Sequence, residues 1–149
     1  MVYIECPQKV DTLKYKVFLA GGASNCRQWQ TEVISKLYNL DIALLNPRRK
    51  NFDVTDKDME TEQIYWEHNA FKKAHLMVFY FCHETVCPIT LFELGKQVMV
   101  NKPIIIGMDE NYSRKNDVII QTKLERPEVP IVTGLDRFID KITDYLYEY

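Results

Sequence analysis

The chain has 149 residues, 46% of them apolar and 27% charged, with a formal net charge of −2. Such a length sets one domain, residues 1–149, with room for a real core, and the composition is that of an ordinary soluble globular protein. So small a charge argues against a nucleic-acid polymer or an anionic membrane surface as partner. The opening Met1-Val2-Tyr3-Ile4-Glu5 has no basic segment followed by an apolar run, so no signal peptide is expected. Cys6, Cys26, Cys82 and Cys87 are too few and too scattered for a disulfide scaffold and read as reduced thiols in a cytoplasmic protein.

Residues 1–14 carry Pro7 and several charges, and read as an extended lead-in or a short edge strand. Lys16-Val17-Phe18-Leu19-Ala20 reads as the first core strand, ended by Gly21-Gly22-Ala23-Ser24-Asn25. From 28 to 40, Trp29, Val33, Ile34 and Leu37 fall on one side at the period of a helix. Strand, glycine turn and helix make the first half of a β-α-β unit. Such a turn admits a ligand close to the backbone and points amides at an anion or a sugar hydroxyl, although paired glycines also simply make tight turns.

Residues 41–45 form the second strand, which Pro47 in Asn46-Pro47-Arg48-Arg49 ends. These arginines face solvent, or one grips a carboxylate or phosphate with its planar fork. Thr55 or Asp56 caps a helix expected from about 57 to 73. Within it Gln63 and Glu67 share a face, with Trp66 and Phe71 beside them, which allows a partly buried carboxylate.

Leu76-Met77-Val78-Phe79-Tyr80-Phe81 is too short for a membrane span and suits a strand buried on both faces. After the loop 82–87, Leu91, Leu94, Val98 and Met99 recur at helical spacing. Residues 102–107 make a fourth strand ended by glycine, and 108–116 a polar loop. Residues 117–121 fit either a short strand or a helical turn. Pro127 and Pro130 flank a loop before a short fifth strand at Ile131-Val132, and 135–147 closes the chain as an amphipathic helix. This alternation predicts an α/β fold: a Rossmann-like or flavodoxin-like three-layer sandwich with a mostly parallel sheet of about five strands and helices on both faces.

In such a sheet, ligands bind outside the carboxyl ends of the strands, where the loop 82–87 and Glu93 fall. Taken as lying near its helix start, Glu93 gains from the helix dipole and is expected to stay ionised, fit for a nucleophile. The plain alternative is a solvated charge. Cys82-His83 with Cys87 invites a zinc reading, but a structural site needs four ligands and no second Cys or His pair has useful spacing. No metal and no cofactor is expected. No cysteine has an evident base partner, so none is expected as the catalytic nucleophile.

Several pieces recur in order over residues 16–121: Phe18-Leu19-Ala20-Gly21-Gly22 with Trp29-Gln30, Asn46-Pro47-Arg48-Arg49, Gln63-Ile64-Tyr65-Trp66-Glu67, Ile89-Thr90-Leu91-Phe92-Glu93-Leu94-Gly95, and Tyr112, Arg114, Asp117-Val118 and Gln121. In these the chain resembles the nucleoside 2-deoxyribosyltransferase-like family. The resemblance implies a Rossmann-like fold and cleavage of the N-glycosidic bond of a nucleoside or nucleoside 5′-monophosphate. The glutamate of the Glu-Leu-Gly motif, Glu93 here, would attack the anomeric carbon, and a second base or water would then take the sugar. The helix acid of the family matches Glu67, where well-studied members carry aspartate. Their loop acid before the nucleophile has no direct counterpart, since Cys87-Pro88 occupies that region, and Glu84 is a shifted substitute. The resemblance also implies a homo-oligomer, with the aromatic tail Tyr145-Leu146-Tyr147-Glu148-Tyr149 docked on a partner or on its own domain.

The residues allow that chemistry. Breaking an N-glycosidic bond builds positive charge on the sugar, which a carboxylate at the anomeric carbon stabilises or captures covalently. The leaving base needs an acid with a raised pKa on its side of the site. Glu93 suits the first task, and Glu67 or Glu84 the second. Gly21, Gly22, Ser24 and Asn25 would hold the sugar and any phosphate, with Arg27, Arg48 or Arg49 as countercharge. Trp29 and Trp66 would wall the base or pack in the core, and Asn46 and Asp117 would bond base or ribose edges. The expected partner is thus a small nucleoside or nucleotide. The competing reading is a non-catalytic protein of the same fold that binds a nucleotide or a nucleotide-derived signal.

Overall fold

Strand β2 (Tyr15–Gly21) lies inside a parallel sheet, with β3 (Ile42–Asn46) on one side and β4 (Leu76–Phe81) on the other. The computed structural model describes residues 1–148, so of the aromatic tail Tyr149 lies outside the described residues. Beyond β3 sits the edge strand β1 (Val2–Glu5), and beyond β4 follow β5 (Ile104–Met108) and β6 (Ile131–Thr133). The sheet order is β1-β3-β2-β4-β5-β6, all parallel. The lead-in therefore supplies a sixth strand to a sheet expected to have about five. All six residues of β4 are buried, as its unbroken apolar run requires.

From β2 the chain steps to β3 through helix α1 (Trp29–Lys36), then reverses through α2 (Lys57–Lys73) to reach β4. Right-handed crossovers running in opposite directions place their helices on opposite faces. Trp29 of α1 accordingly packs edge-on against Phe138 of α5 (Leu135–Glu148), while Phe18 of β2 stacks at 4.1 Å on Phe71 of α2. Helices α3 (Pro88–Gln97) and α4 (Lys115–Glu125) follow α2 on its face. Burying a side chain the size of these core residues stabilises by roughly 1.5–3 kcal/mol each. Among the described residues no helix is long and apolar enough to cross a membrane.

Local expectations are refined in four places. Helix α1 ends at Lys36 rather than near 40, because the chain turns at Leu37, whose carbonyl accepts from the amide of Leu40 at 3.0 Å. Asp56, not Thr55, caps α2, its carboxylate accepting from the amides of Asp58 and Met59 at 3.0 and 3.1 Å. Residues 117–121 belong to helix α4. Gly107 does not end β5; a Cβ there would fall 2.4 Å from the Phe138 ring, so glycine admits α5 against the sheet. The far end of α2 is closed by Lys102, whose ammonium donates to the carbonyls of Phe71, Lys72 and Ala74.

Candidate active site

The chain reverses direction in the sheet between β2 and β4, and the crevice outside their carboxyl ends is where such a fold receives ligands. A cavity of about 690 Å³ opens there. Its floor is the glycine turn, Gly21 to Asn25; α2 contributes Gln63 and Glu67; the start of α3 contributes Pro88, Thr90 and Glu93. The loop after β3 closes it with Pro47, Arg48, Arg49 and Lys50.

The glycines are required by what lies behind them. A Cβ on Gly21 would fall 2.5 Å from the Trp29 ring and from the carbonyl oxygen of Tyr80. One on Gly22 would fall 2.4 Å from the sulfur of Cys82. Trp29 is fully buried and donates its indole N–H to the carbonyl of Gly22 at 3.0 Å, joined by the amide of Gln30 at 3.1 Å. The turn is thus clamped from below. Arg48 clamps it from the side, donating to the carbonyls of Arg27 at 2.7 Å and Cys26 at 2.9 Å. Asn25 completes the turn in the left-handed region at φ 55°.

Across from the turn stand two carboxyls, Glu67 of α2 and Glu93 of α3, within hydrogen-bonding reach of each other. Burial pushes both above the ordinary carboxylate range. Glu67 is partly relieved, because the Gln63 amide donates to its Oε1 at 2.6 Å. Glu93 has no such donor; burial and then the charge of Glu67 push it up to about 8. Two buried acids this close cannot both ionise cheaply, which favours the pair sharing a proton. The expectation that the helix dipole keeps Glu93 ionised is therefore corrected. Helix α3 begins at Pro88, which puts Glu93 in its second turn, beyond the reach of the terminal amides.

Two buried polar atoms on this wall have no partner: Nη1 of Arg49 and Oε1 of Gln63. The Gln63 amide nitrogen already donates to Pro47 O at 2.7 Å and to Glu67, which fixes its carbonyl as the free end. Arg49 pairs with Glu62 and reaches the Cys6 carbonyl at 3.3 Å, yet keeps Nη1 free.

Of the residues singled out from sequence, Gly21, Gly22, Ser24, Asn25, Arg48, Arg49, Gln63, Glu67 and Glu93 line the cavity. Arg27, Trp29, Asn46, Trp66, Glu84 and Asp117 do not. Trp29 lies beneath the turn, and Trp66 packs near Phe18 with its indole N–H on the Gln8 carbonyl at 2.7 Å. Asn46 is buried between the Tyr3 hydroxyl and the Arg48 amide. Asp117 pairs with Arg114 at 3.1 Å on α4, along a separate groove. Glu84 accepts from the Arg27 amide at 3.3 Å and sits 3.6 Å from His83, outside the cavity.

His83, Glu84 and Asp109 bring ligating atoms together, a cluster not foreseen when Cys82, His83 and Cys87 were weighed as a zinc site. Asp109 is already engaged there by the Tyr80 hydroxyl at 2.5 Å and the His83 amide at 2.9 Å. Sequence reasoning missed Thr90, buried in the cavity wall one turn before Glu93. The three-residue spacing on α3 is the signal that would have found it.

No curated protein sequence matches the chain. Residues 14–112 match the sequence family described as nucleoside 2-deoxyribosyltransferase like, which covers β2 through β5 and every element that builds the cavity. The chain belongs to the nucleoside 2-deoxyribosyltransferase-like family.

Proposed function

We propose that the protein cleaves the N-glycosidic bond of a nucleoside or nucleoside 5′-monophosphate through a glycosyl ester on Glu93. The observation that carries this reading is the pair of buried carboxyls, Glu67 and Glu93, within hydrogen-bonding reach of each other in a cavity at the sheet's switch point. A nucleophile must be ionised when it attacks, and a leaving base must be protonated as it departs. One shared proton serves both needs. As the bond from the anomeric carbon to the base lengthens, the proton passes from Glu93 to Glu67 and on to the base nitrogen. Glu93 is then a carboxylate beside a sugar carbon that is gaining positive charge, and it closes on that carbon. The bonding pair of the broken bond leaves with the base. In the second half an acceptor base or water attacks the same carbon, Glu67 takes the acceptor's proton, and Glu93 is released.

Ser24 and Asn25 line the same cavity and are proposed to hold the sugar. Self-association is expected, and a sedimentation mass equal to one chain would contradict it.

The test is chromatography of deoxynucleosides and their 5′-monophosphates incubated with the purified protein, with and without a free acceptor base. Free base without acceptor identifies a hydrolase, and a new nucleoside only with acceptor a transferase. Absence of both, with a Glu93→Gln protein binding nucleotides as well as the parent, would replace the enzyme with a binder.

A further inference from the structure

Helix α3 starts from Cys87, whose backbone lies in the left-handed region at φ 52°. Its sulfur is 3.9 Å from that of Cys82, the residue that follows β4. A Cβ on Gly22 would meet the sulfurs of Cys82, Cys26 and Cys87 at 2.4, 2.9 and 3.2 Å, so three thiols surround one carbon of the glycine turn. All are free, and none has a part in the glycosyl transfer.

We propose that Cys82 and Cys87 are a dithiol that hydroperoxides convert to a disulfide, a modification site built under the floor of the active site. Bonded sulfurs lie about 2.05 Å apart, so the pair must close by less than ~2 Å. Four loop residues, 83–86, separate the two cysteines and can take up that movement. The roles differ by access. Both thiols are buried, but Cys87, 4% exposed, lines the cavity, whereas Cys82 has no exposed surface. The contact between the two sulfurs holds Cys87 below the usual thiol range and Cys82 above it, which together with its place on the cavity wall makes Cys87 the attacking sulfur.

The Cys87 thiolate attacks one peroxide oxygen, the O–O bond breaks, and a sulfenic acid and water result once the departing oxygen is protonated. The Cys82 sulfur then attacks the Cys87 sulfur; the S–O bond breaks, and the second water leaves with the Cys82 proton. The thiols give up two electrons and two protons, and hydrogen peroxide takes both. The new bond ties the first turn of α3 to the end of β4, and α3 carries Glu93. That last consequence rests on the proposed function; the bond does not.

The test is peptide mapping of the whole protein after hydrogen peroxide, with free thiols alkylated under unfolding conditions before trypsin. No lysine or arginine lies between Lys73 and Lys96, so both cysteines fall in one peptide, 74–96. The expected result is that peptide two hydrogens light and closed to alkylation, with Cys6 and Cys26 still open, all reversed by a dithiol reductant. In Cys82→Ala, Cys87 should stop at the sulfenic acid and be captured by dimedone. An unchanged map, a cross-link from 74–96 to the Cys26 peptide, or Cys87 over-oxidised while Cys82 still alkylates would overturn the proposal. The wild-type map decides even if the variant does not fold. Turnover that falls with the bond and returns with reductant ties it to Glu93. A bond formed without effect on turnover keeps the modification site and removes that tie, and a reduced protein without turnover counts against the glycosyl chemistry alone.

Discussion

Helix α3 has a depression on each side, about 690 Å³ toward α2 and about 490 Å³ toward α4. They differ in what is left unsatisfied. On the α2 side Thr90 and Glu93 face a second carboxyl, an arginine nitrogen without a partner and a glutamine oxygen without one. On the α4 side Leu91, Leu94 and Val98 line the wall, and of the two carboxylates present Asp117 is paired with Arg114 and Glu125 is exposed to solvent. Concavity is common to both; uncompensated polarity belongs to one. Evolved sites hold charged groups at a cost that only a ligand or a reaction repays.

The contrast is broken most directly at Glu93. Glu93→Ala should lower turnover by ~10³-fold or more while circular dichroism and thermal unfolding stay near those of the parent. A fully active Glu93→Ala would put the chemistry elsewhere. Glu67→Gln should cost about 10²-fold, since it removes a positioned proton carrier but not the nucleophile, and kcat against pH should lose its alkaline limb near 8. A rate loss with the limb intact would assign that proton to another group.

The two grooves also differ in the sign of their effect on stability. A carboxyl whose folded pKa is raised stabilises the folded state below its unfolded pKa, and that contribution is lost as pH rises through the folded value. Wild type should therefore lose stability from Glu93 as pH climbs from the usual glutamate range to about 8. Glu93→Gln keeps a donor toward Glu67 and escapes the loss, so it should be more stable than wild type by roughly 4 kcal/mol at pH 8 and by under about 1 kcal/mol at pH 5. Equal urea midpoints at both pH values would contradict this.

The glycines give the smallest and most local comparison. Gly22→Ala meets three sulfurs and should cost about 1–3 kcal/mol. Gly95, on the α4 side, has nothing within 4 Å of an added Cβ and sits inside a helix, so Gly95→Ala should gain roughly 0.5–1 kcal/mol. Thermal unfolding of the two variants reads both signs.

The layers of this fold were legible because apolar runs and helical periods are local properties of the chain. Residues 76–81 and 57–73 match observed elements to the residue, and the i, i+4 spacing placed Gln63 beside Glu67 correctly. Contacts between elements were not legible. The raised pKa of Glu93 comes from its burial and then from Glu67 on another helix, neither of which a local pattern near residue 93 records. Trp29 has the right period for an inward side chain, but period does not reveal that it packs beneath Gly21 instead of facing a base. Arg48 looked like a countercharge and is spent on backbone carbonyls, while Arg49, its neighbour, keeps the open nitrogen. Asp117 could be placed only once residues 115–125 were known to be a helix facing the other groove.

The most direct measurement is a carboxyl ¹³C NMR titration of the glutamate side chains, assigned with Glu67→Gln and Glu93→Gln. One carboxyl of the pair should titrate near pH 8, and that step should fall when its partner is replaced by glutamine while staying above the ordinary glutamate range, because burial is the larger cause. If both carboxyls titrate below pH 5 in the wild-type protein, no proton is shared, and the cavity lacks the feature on which the proposed chemistry depends.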